Sequence, residues 1–174
     1  MKKIEEYIRS IPNFPHEGII FRDVTSVLGD ADGLKLAVDG MMDKVADLEY
    51  DVVVGPESRG FIFGTPVAYL SGKPFVPIRK KGKLPCETIE IEYDLEYGSA
   101  ILEIHKDAIK KGQKVLIVDD LLATGGTADA MVKLIEMLGG EVVGFVVLIE
   151  LEGLEGRKCI EGYRVDSLVA YEGK

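Results

Sequence analysis

The apolar positions of this chain fall into two rhythms that alternate along it. Val52-Val53-Val54, residues 75–78, Val115-Leu116-Ile117-Val118 and residues 142–149 are short β-prone runs, the pattern of strands covered on both faces in a parallel sheet. Between them, apolar residues recur at helical spacing. Leu34, Ala37, Val38, Met41, Met42, Val45 and Leu48 make one broad face, and Ala130, Met131, Leu134, Ile135 and Leu138 make another. Asp32 stands where it would cap the first of these helices, and Gly139-Gly140 ends the second. A further helix is expected over residues 61–70, its regularity limited by Pro66. Ile4, Tyr7, Ile8 and Ile11 also have helical spacing, up to the break at Pro12 and Pro15.

One segment keeps a different period. Ile89, Ile91, Tyr93 and Leu95 alternate with Thr88, Glu90, Glu92 and Asp94, as in a strand with one face buried. Residues 96–99 then turn into a return strand over 100–104, and a last strand is expected near 167–171. Strands alternating with helices predict an α/β fold, a mostly parallel twisted sheet flanked by helices. The chain reads as a single domain over residues 1–174, with no repeat, low-complexity tract or interdomain linker.

Composition narrows the partners. Of 174 residues, 47% are hydrophobic, which suffices for a core, and no run approaches the ~20 apolar residues of a membrane span. The first ten residues hold no apolar stretch of the leader type, so a secretory signal and a membrane partner are not expected. Cys86 and Cys159 lie far apart with no C-x-x-C spacing, which fits a reducing cytoplasm. His16 and His105 have neither triad nor metal spacing. The formal net charge of −9 argues against nucleic-acid binding, which needs a basic face. Positive charge is nonetheless concentrated at Arg79, Lys80, Lys81 and Lys83, a run that serves either a polyanionic ligand or a solvated loop.

The densest chemistry follows the strand at 115–118. Two carboxylates, Asp119 and Asp120, precede Ala123-Thr124-Gly125-Gly126-Thr127, which opens a helix. A glycine-rich turn feeding a helix N-terminus binds anions through outward-pointing backbone N–H groups and the helix dipole. A P-loop would carry a lysine after its last glycine, where this chain has Thr127. A dinucleotide fingerprint would place its acid about 20 residues after the glycines rather than before them. A terminal monophosphate fits better, with the aspartates placed to accept hydrogen bonds from vicinal sugar hydroxyls. The segment therefore reads as a cradle for ribose 5-phosphate.

This block resembles the signature of the type I phosphoribosyltransferase family. Phe21-Arg22-Asp23, Glu57-Ser58-Arg59-Gly60-Phe61, Arg79-Lys80-Lys81-Gly82-Lys83-Leu84-Pro85 and Leu95-Glu96-Tyr97-Gly98 extend the likeness to its adenine-using branch, in order along nearly the whole chain. The resemblance implies the type I phosphoribosyltransferase fold with a small N-terminal hood at 1–30 and a flexible β-hairpin lid at 79–99. It implies transfer of a 5-phosphoribosyl group from 5-phosphoribosyl 1-pyrophosphate to N9 of adenine, giving AMP and pyrophosphate in purine salvage.

It also implies residue roles. Ala123, Thr124, Gly125, Gly126 and Thr127 would bind the 5-phosphate, and Asp119 and Asp120 the ribose diol and the charge developing at C1. Glu57, Ser58 and Arg59, in a loop whose peptide is often cis in the family, would meet the pyrophosphate with Arg79, Lys80, Lys83 and Tyr97. Glu96 joins Arg59 and the aspartates in the catalytic set. Ile20, Phe21, Arg22 and Leu151 would hold the base, Phe21 and Leu151 on its two faces and the backbone near Ile20 and Arg22 on its edge. Mg²⁺ is expected to be bound mainly through substrate, with Asp119 as a direct or water-mediated ligand. A homodimer is the family expectation. The alternatives are a transferase for hypoxanthine, guanine or xanthine, and a non-catalytic nucleotide-sensing regulator.

Overall fold

The computed structural model describes residues 2–95 and 97–173. A 3-10 turn over Ile4–Tyr7 leads into β1 (Arg9–Pro12), which pairs antiparallel with β2 (Ile20–Asp23) so that Ile11 faces Phe21. The helix expected over residues 4–11 therefore stops after one turn. Ile8 is already extended, and the backbone beyond it bonds to β2 instead of to the preceding turn. Four apolar residues at helical spacing do not reveal a partner strand ten residues further on.

A single-turn α1 (Thr25–Leu28) precedes α2 (Ala31–Lys44). Asp30, not Asp32, caps α2: its carboxylate accepts from the Asp32 N–H at 2.9 Å and the Gly33 N–H at 3.1 Å. The remaining elements are β3 (Val52–Pro56), α3 (Arg59–Ser71), β4 (Phe75–Lys80), β5 (Thr88–Asp94), β6 (Ser99–His105), β7 (Lys114–Leu122), α4 (Gly126–Met137), β8 (Glu141–Leu151) and β9 (Val165–Tyr171). Pro66 lies inside α3 without ending it, removing one backbone donor from the helix.

Seven strands form one sheet in the order β5-β6-β4-β3-β7-β8-β9. The five from β4 to β9 are parallel, and the β5–β6 hairpin joins the β4 edge antiparallel. The mostly parallel sheet flanked by helices expected from the sequence is thus the observed fold. Strand alternation divides the core into two layers. Val52, Val54, Val115 and Ile117 pack with α4 and with Ile89, Ile91 and Tyr93 of the hairpin. Val53, Leu116 and Val118 pack with α2 and α3. Gly64 lets α3 settle on the sheet, since a Cβ there would stand 2.5 Å from the Phe75 ring.

The α2 cap is open to direct test. Asp30→Ala should lower stability by about 1 kcal/mol in urea unfolding, whereas Asp32→Ala, which removes no cap bond, should cost only a few tenths. Equal losses at the two positions would contradict the assignment.

Candidate active site

Parallel pairing of β3 with β7, Val54 beside Ile117, sets two chain segments sixty residues apart side by side at the C-terminal edge of the sheet. From β3 the chain turns through Glu57 and Ser58, joined by a cis peptide, into α3. From β7 it turns through residues 123–125 into α4. Both helices direct their N-termini at the same space, so two sets of free backbone N–H groups and two positive dipole ends converge there. Between them is a cavity of about 410 Å³ lined by Glu57, Ser58, Arg59, Lys80, Asp119, Asp120, Ala123, Thr124, Gly125 and Thr127, together with Pro56, Leu121, Leu122, Ala128 and Phe145. Gly125, with φ of +88°, turns the chain into α4 in a conformation that disfavours a side chain. Gly126 needs no such freedom: a Cβ there would make ordinary contact with the Tyr93 ring at 3.5 Å.

Asp119 and Asp120 belong to β7 itself, one step earlier than the loop in which they were expected, and are only 8% and 5% exposed. Asp119 Oδ1 accepts from the Asp120 N–H at 2.8 Å. Arg59 Nε donates to Asp120 Oδ2 at 2.5 Å. Gly60 brings the first turn of α3 against the pair, since a Cβ there would lie 3.1 Å from Asp119 Oδ1. Burial and then the neighbouring Asp120 charge push the Asp119 carboxyl well above the ordinary aspartate range, against the pull of Arg59. Burial alone would lower the Arg59 guanidinium, but its pairing with Asp120 raises it, so it stays charged.

Two other carboxylates organise the basic run. Glu57 Oε1 accepts from the Lys80 N–H at 2.7 Å and lies 3.4 Å from Arg79 Nε. Burial would raise its pKa, but these two partners hold it below the usual value. Glu103, 3% exposed, accepts from the Lys83 N–H at 3.0 Å and the Leu84 N–H at 2.8 Å, and such bonds likewise outweigh its burial. Of the run, Lys80 lines the cavity, while Arg79 leans on Glu57 and Lys81 pairs with Glu90 at 3.0 Å. Lys83 is exposed and does not line the cavity. Tyr97 is 88% exposed at the hairpin turn, away from the cavity, and Glu96 lies outside the described residues.

The profile of the phosphoribosyl transferase domain matches residues 27–172. The chain belongs to that family. It is 65% identical, over the full length of both, to the adenine phosphoribosyltransferase of Lachnoclostridium phytofermentans. The enzyme of that name from Clostridium novyi is 62% identical over 97% of this chain and 98% of its own. Among solved structures, adenine phosphoribosyltransferase from Thermoanaerobacter pseudethanolicus superposes with a TM-score of 0.93 at 50% identity, covering 97% of this chain and 98% of that one. The Saccharomyces cerevisiae enzyme, complexed with an imino-altritol bisphosphate and adenine, gives 0.89 at 38% identity, covering 95% and 96%.

Within this phosphoribosyl transferase domain the hood residues sit beside the cavity rather than lining it. Ile20 and Arg22 point to one face of β2 and Phe21 to the other. The Arg22 guanidinium stacks 3.8 Å above the Tyr171 ring and bonds Ser10 Oγ, so its side chain is already engaged. Tyr171 is the register neighbour of Leu151, so the hood and Leu151 meet at one corner of the sheet. Asp23 follows on β2, and its charge is felt at Arg59. Phe21 is half-buried, edge-on to Phe14 at 5.2 Å.

Four positions with a place in this geometry were not singled out from the sequence. Phe145 lies in an apolar run like any other strand residue. Tyr93 shared the alternation of β5, yet its hydroxyl reaches Thr127 Oγ1 at 3.3 Å. Tyr171 gave no signal at all. Glu103 did: it is a lone acid in an otherwise apolar return strand. Among the described residues no group of three or more His, Cys, Asp or Glu is placed to hold a metal. Asp119 and Asp120 are hard oxygen donors, and they suit a Mg²⁺ ion that takes most of its ligands from water and substrate.

The raised Asp119 pKa has a consequence for stability. Between the unfolded value near 3.9 and the higher folded value, the folded protein holds a proton that the unfolded chain has released, so stability falls as pH rises through that window. Asn cannot ionise. Ligand-free Asp119→Asn protein should therefore gain in melting temperature relative to the parent as pH rises above the unfolded aspartate value near 3.9, by a margin that widens through the window. A gap independent of pH would show that Asp119 is charged throughout.

Proposed function

We propose that this protein transfers the 5-phosphoribosyl group of 5-phosphoribosyl 1-pyrophosphate to N9 of adenine, releasing pyrophosphate and AMP in purine salvage. One observation carries the reading: two buried aspartates stand between two converging helix N-termini, in a single cavity whose rim is basic at Lys80. A sugar phosphorylated at both ends needs that arrangement, with anion sites at its extremities and hydroxyl acceptors in the middle. The adenine phosphoribosyltransferases at up to 65% identity over the full chain support the same reaction.

In this reading the 5-phosphate takes the backbone N–H groups of residues 124–127 at the start of α4, with Thr124 and Thr127 adding hydroxyl donors. The ribose hydroxyls donate to Asp120 and Asp119. Arg59, which bonds Asp120, turns to the pyrophosphate oxygens, where its fork meets two at once. As the C1–O bond breaks, its electron pair leaves with pyrophosphate, N9 of adenine attacks C1 from the opposite face with inversion, and the ring N–H proton that adenine loses passes to Glu96. The aspartate pair opposes the positive charge growing at C1 and O4. Mg²⁺, when bound with the substrate, offsets pyrophosphate charge, and Asp119 is the residue to hold it, directly or through water.

The segment at 79–99 acts as the lid that excludes water, Lys80, Lys83 and Tyr97 closing on the leaving group and Glu96 managing protons. Arg79 supports it from Glu57. The base lies between Phe21 and Leu151 with its edge on the backbone near Ile20 and Arg22. Exposed Ile62, Tyr69 and Leu70 on α3 support a homodimer, and the free thiols Cys86 and Cys159 support a cytoplasmic setting.

Base choice tests the reading. Adenine offers a C6 amino donor beside an N1 acceptor, and hypoxanthine reverses both. Unpaired buried polar groups cost roughly 1–3 kcal/mol each, and sites built on such pairs discriminate strongly. Adenine should be preferred over hypoxanthine by at least ~10³ in kcat/KM. Comparable turnover of both bases would refute the adenine assignment while leaving phosphoribosyl transfer in place. Absence of turnover with adenine, hypoxanthine, guanine and xanthine alike would favour a nucleotide sensor.

A further inference from the structure

Beyond the cavity, the chain between β8 and β9 forms a 3-10 turn over Gly156–Ile160 that leans on the back of the 123–127 loop. The contact is backbone to backbone. A Cβ on Gly125 would collide with the Gly156 carbonyl oxygen, and one on Gly156 would collide with the Ala123 carbonyl oxygen. Cys159 adds to the same face: its Sγ donates to the Thr124 carbonyl at 3.2 Å. Thus consecutive carbonyls of the loop are pressed or held from behind by one turn. Peptide groups whose carbonyls are fixed on one side present their N–H groups on the other.

The turn is itself tied down. Arg157 clamps Glu150 through two bonds, Nε to Oε1 at 2.6 Å and Nη2 to Oε2 at 2.7 Å, and its Nη1 donates to the Val165 carbonyl at 2.9 Å. Ser167 Oγ gives Glu150 Oε2 a further bond at 2.9 Å. Glu150 is 4% exposed and pairs in register with Leu122, the last residue of β7 before the loop. A buried carboxylate with this full set of partners, one residue before Leu151, is a large commitment for a surface turn that lines no part of the cavity.

We propose that Gly156 and Arg157 are positioning residues for the 5-phosphate loop: Gly156 supplies the close approach that shapes the loop, and Arg157, locked to Glu150, holds Gly156 in place. The inference rests on the reading of residues 123–127 as the 5-phosphate site. It places the determinant of phosphate geometry on a segment thirty residues downstream of the loop, with no contact to the ligand.

The test uses the full chain, with ribose 5-phosphate in calorimetry and steady-state kinetics with adenine and 5-phosphoribosyl 1-pyrophosphate. Gly156 has an ordinary backbone conformation, so Gly156→Ala adds only the colliding Cβ. A misplacement of tenths of an ångström should weaken ribose 5-phosphate and raise the KM for 5-phosphoribosyl 1-pyrophosphate by about tenfold, with adenine KM changed by less than about twofold. Arg157→Met should produce the same split. Arg157→Lys, which keeps the charge but not the fork, should fall between Arg157→Met and the parent. Should Gly156→Ala not fold, the Arg157 pair decides alone. A lowered melting temperature with unchanged ribose 5-phosphate affinity would reduce the clamp to a stabilising contact and overturn the proposal. Failure of the parent protein to bind ribose 5-phosphate would overturn the phosphate site itself, a distinct outcome.

Discussion

The parallel pairing of β3 with β7 is the constraint on which the site depends. Each strand is buried on both faces, and each ends in a turn that opens a helix, so bringing the strands together brings two helix N-termini together as well. Hydrophobic burial of Val52, Val53 and Val54 against Val115, Leu116 and Ile117 thereby does an electrostatic task. It holds Asp119 and Asp120 where like charges crowd and water is scarce. The Arg59 side chain then becomes necessary, because an uncompensated buried pair of carboxylates would be costly. Sheet, helix ends, acids and arginine form one chain of dependence.

A net acidic protein that handles anions must ration its positive charge. Here it does so with acids as scaffolding: Glu57 and Glu103 bind backbone N–H groups of the basic run, at Lys80, Lys83 and Leu84. The carboxylates fix the course of the loop while leaving the Lys80 and Lys83 side chains free of ion pairs among the described residues. Only Arg79 and Lys81 are drawn aside, to Glu57 and Glu90.

Much of this is legible in the sequence. Uninterrupted apolar runs announced the central strands and alternation announced β5; the acid pair and the glycine-threonine turn marked the site, although β7 runs on through both acids to Leu122. Local periodicity failed where a distant partner decided the outcome, as at Ile4 to Ile11, whose spacing suits a helix but whose backbone pairs with β2. The choice of Asp30 over Asp32 as cap turned on a shift of two residues. At the site, the residues on the two main loops came together as expected. Arg22 and Leu151 instead meet through Tyr171, and Tyr93 reaches Thr127 from another part of the chain; neither relation has a local signature. The placement of Gly125 as the sterically required glycine likewise came from Gly156, thirty-one residues away.

The hairpin leaves β5 as the terminal strand of the sheet, with no neighbouring strand on its outer side among the described residues. Such a margin is an invitation to further strands, and a second copy of the chain would be the nearest supply. Its exposed face carries Glu90, Glu92 and Asp94, of which, among the described residues, Glu90 alone forms an ion pair, with Lys81. Two copies approaching margin to margin would bring these carboxylates into register and repel. The alternation that first identified this strand therefore also guards the protein against runaway sheet growth.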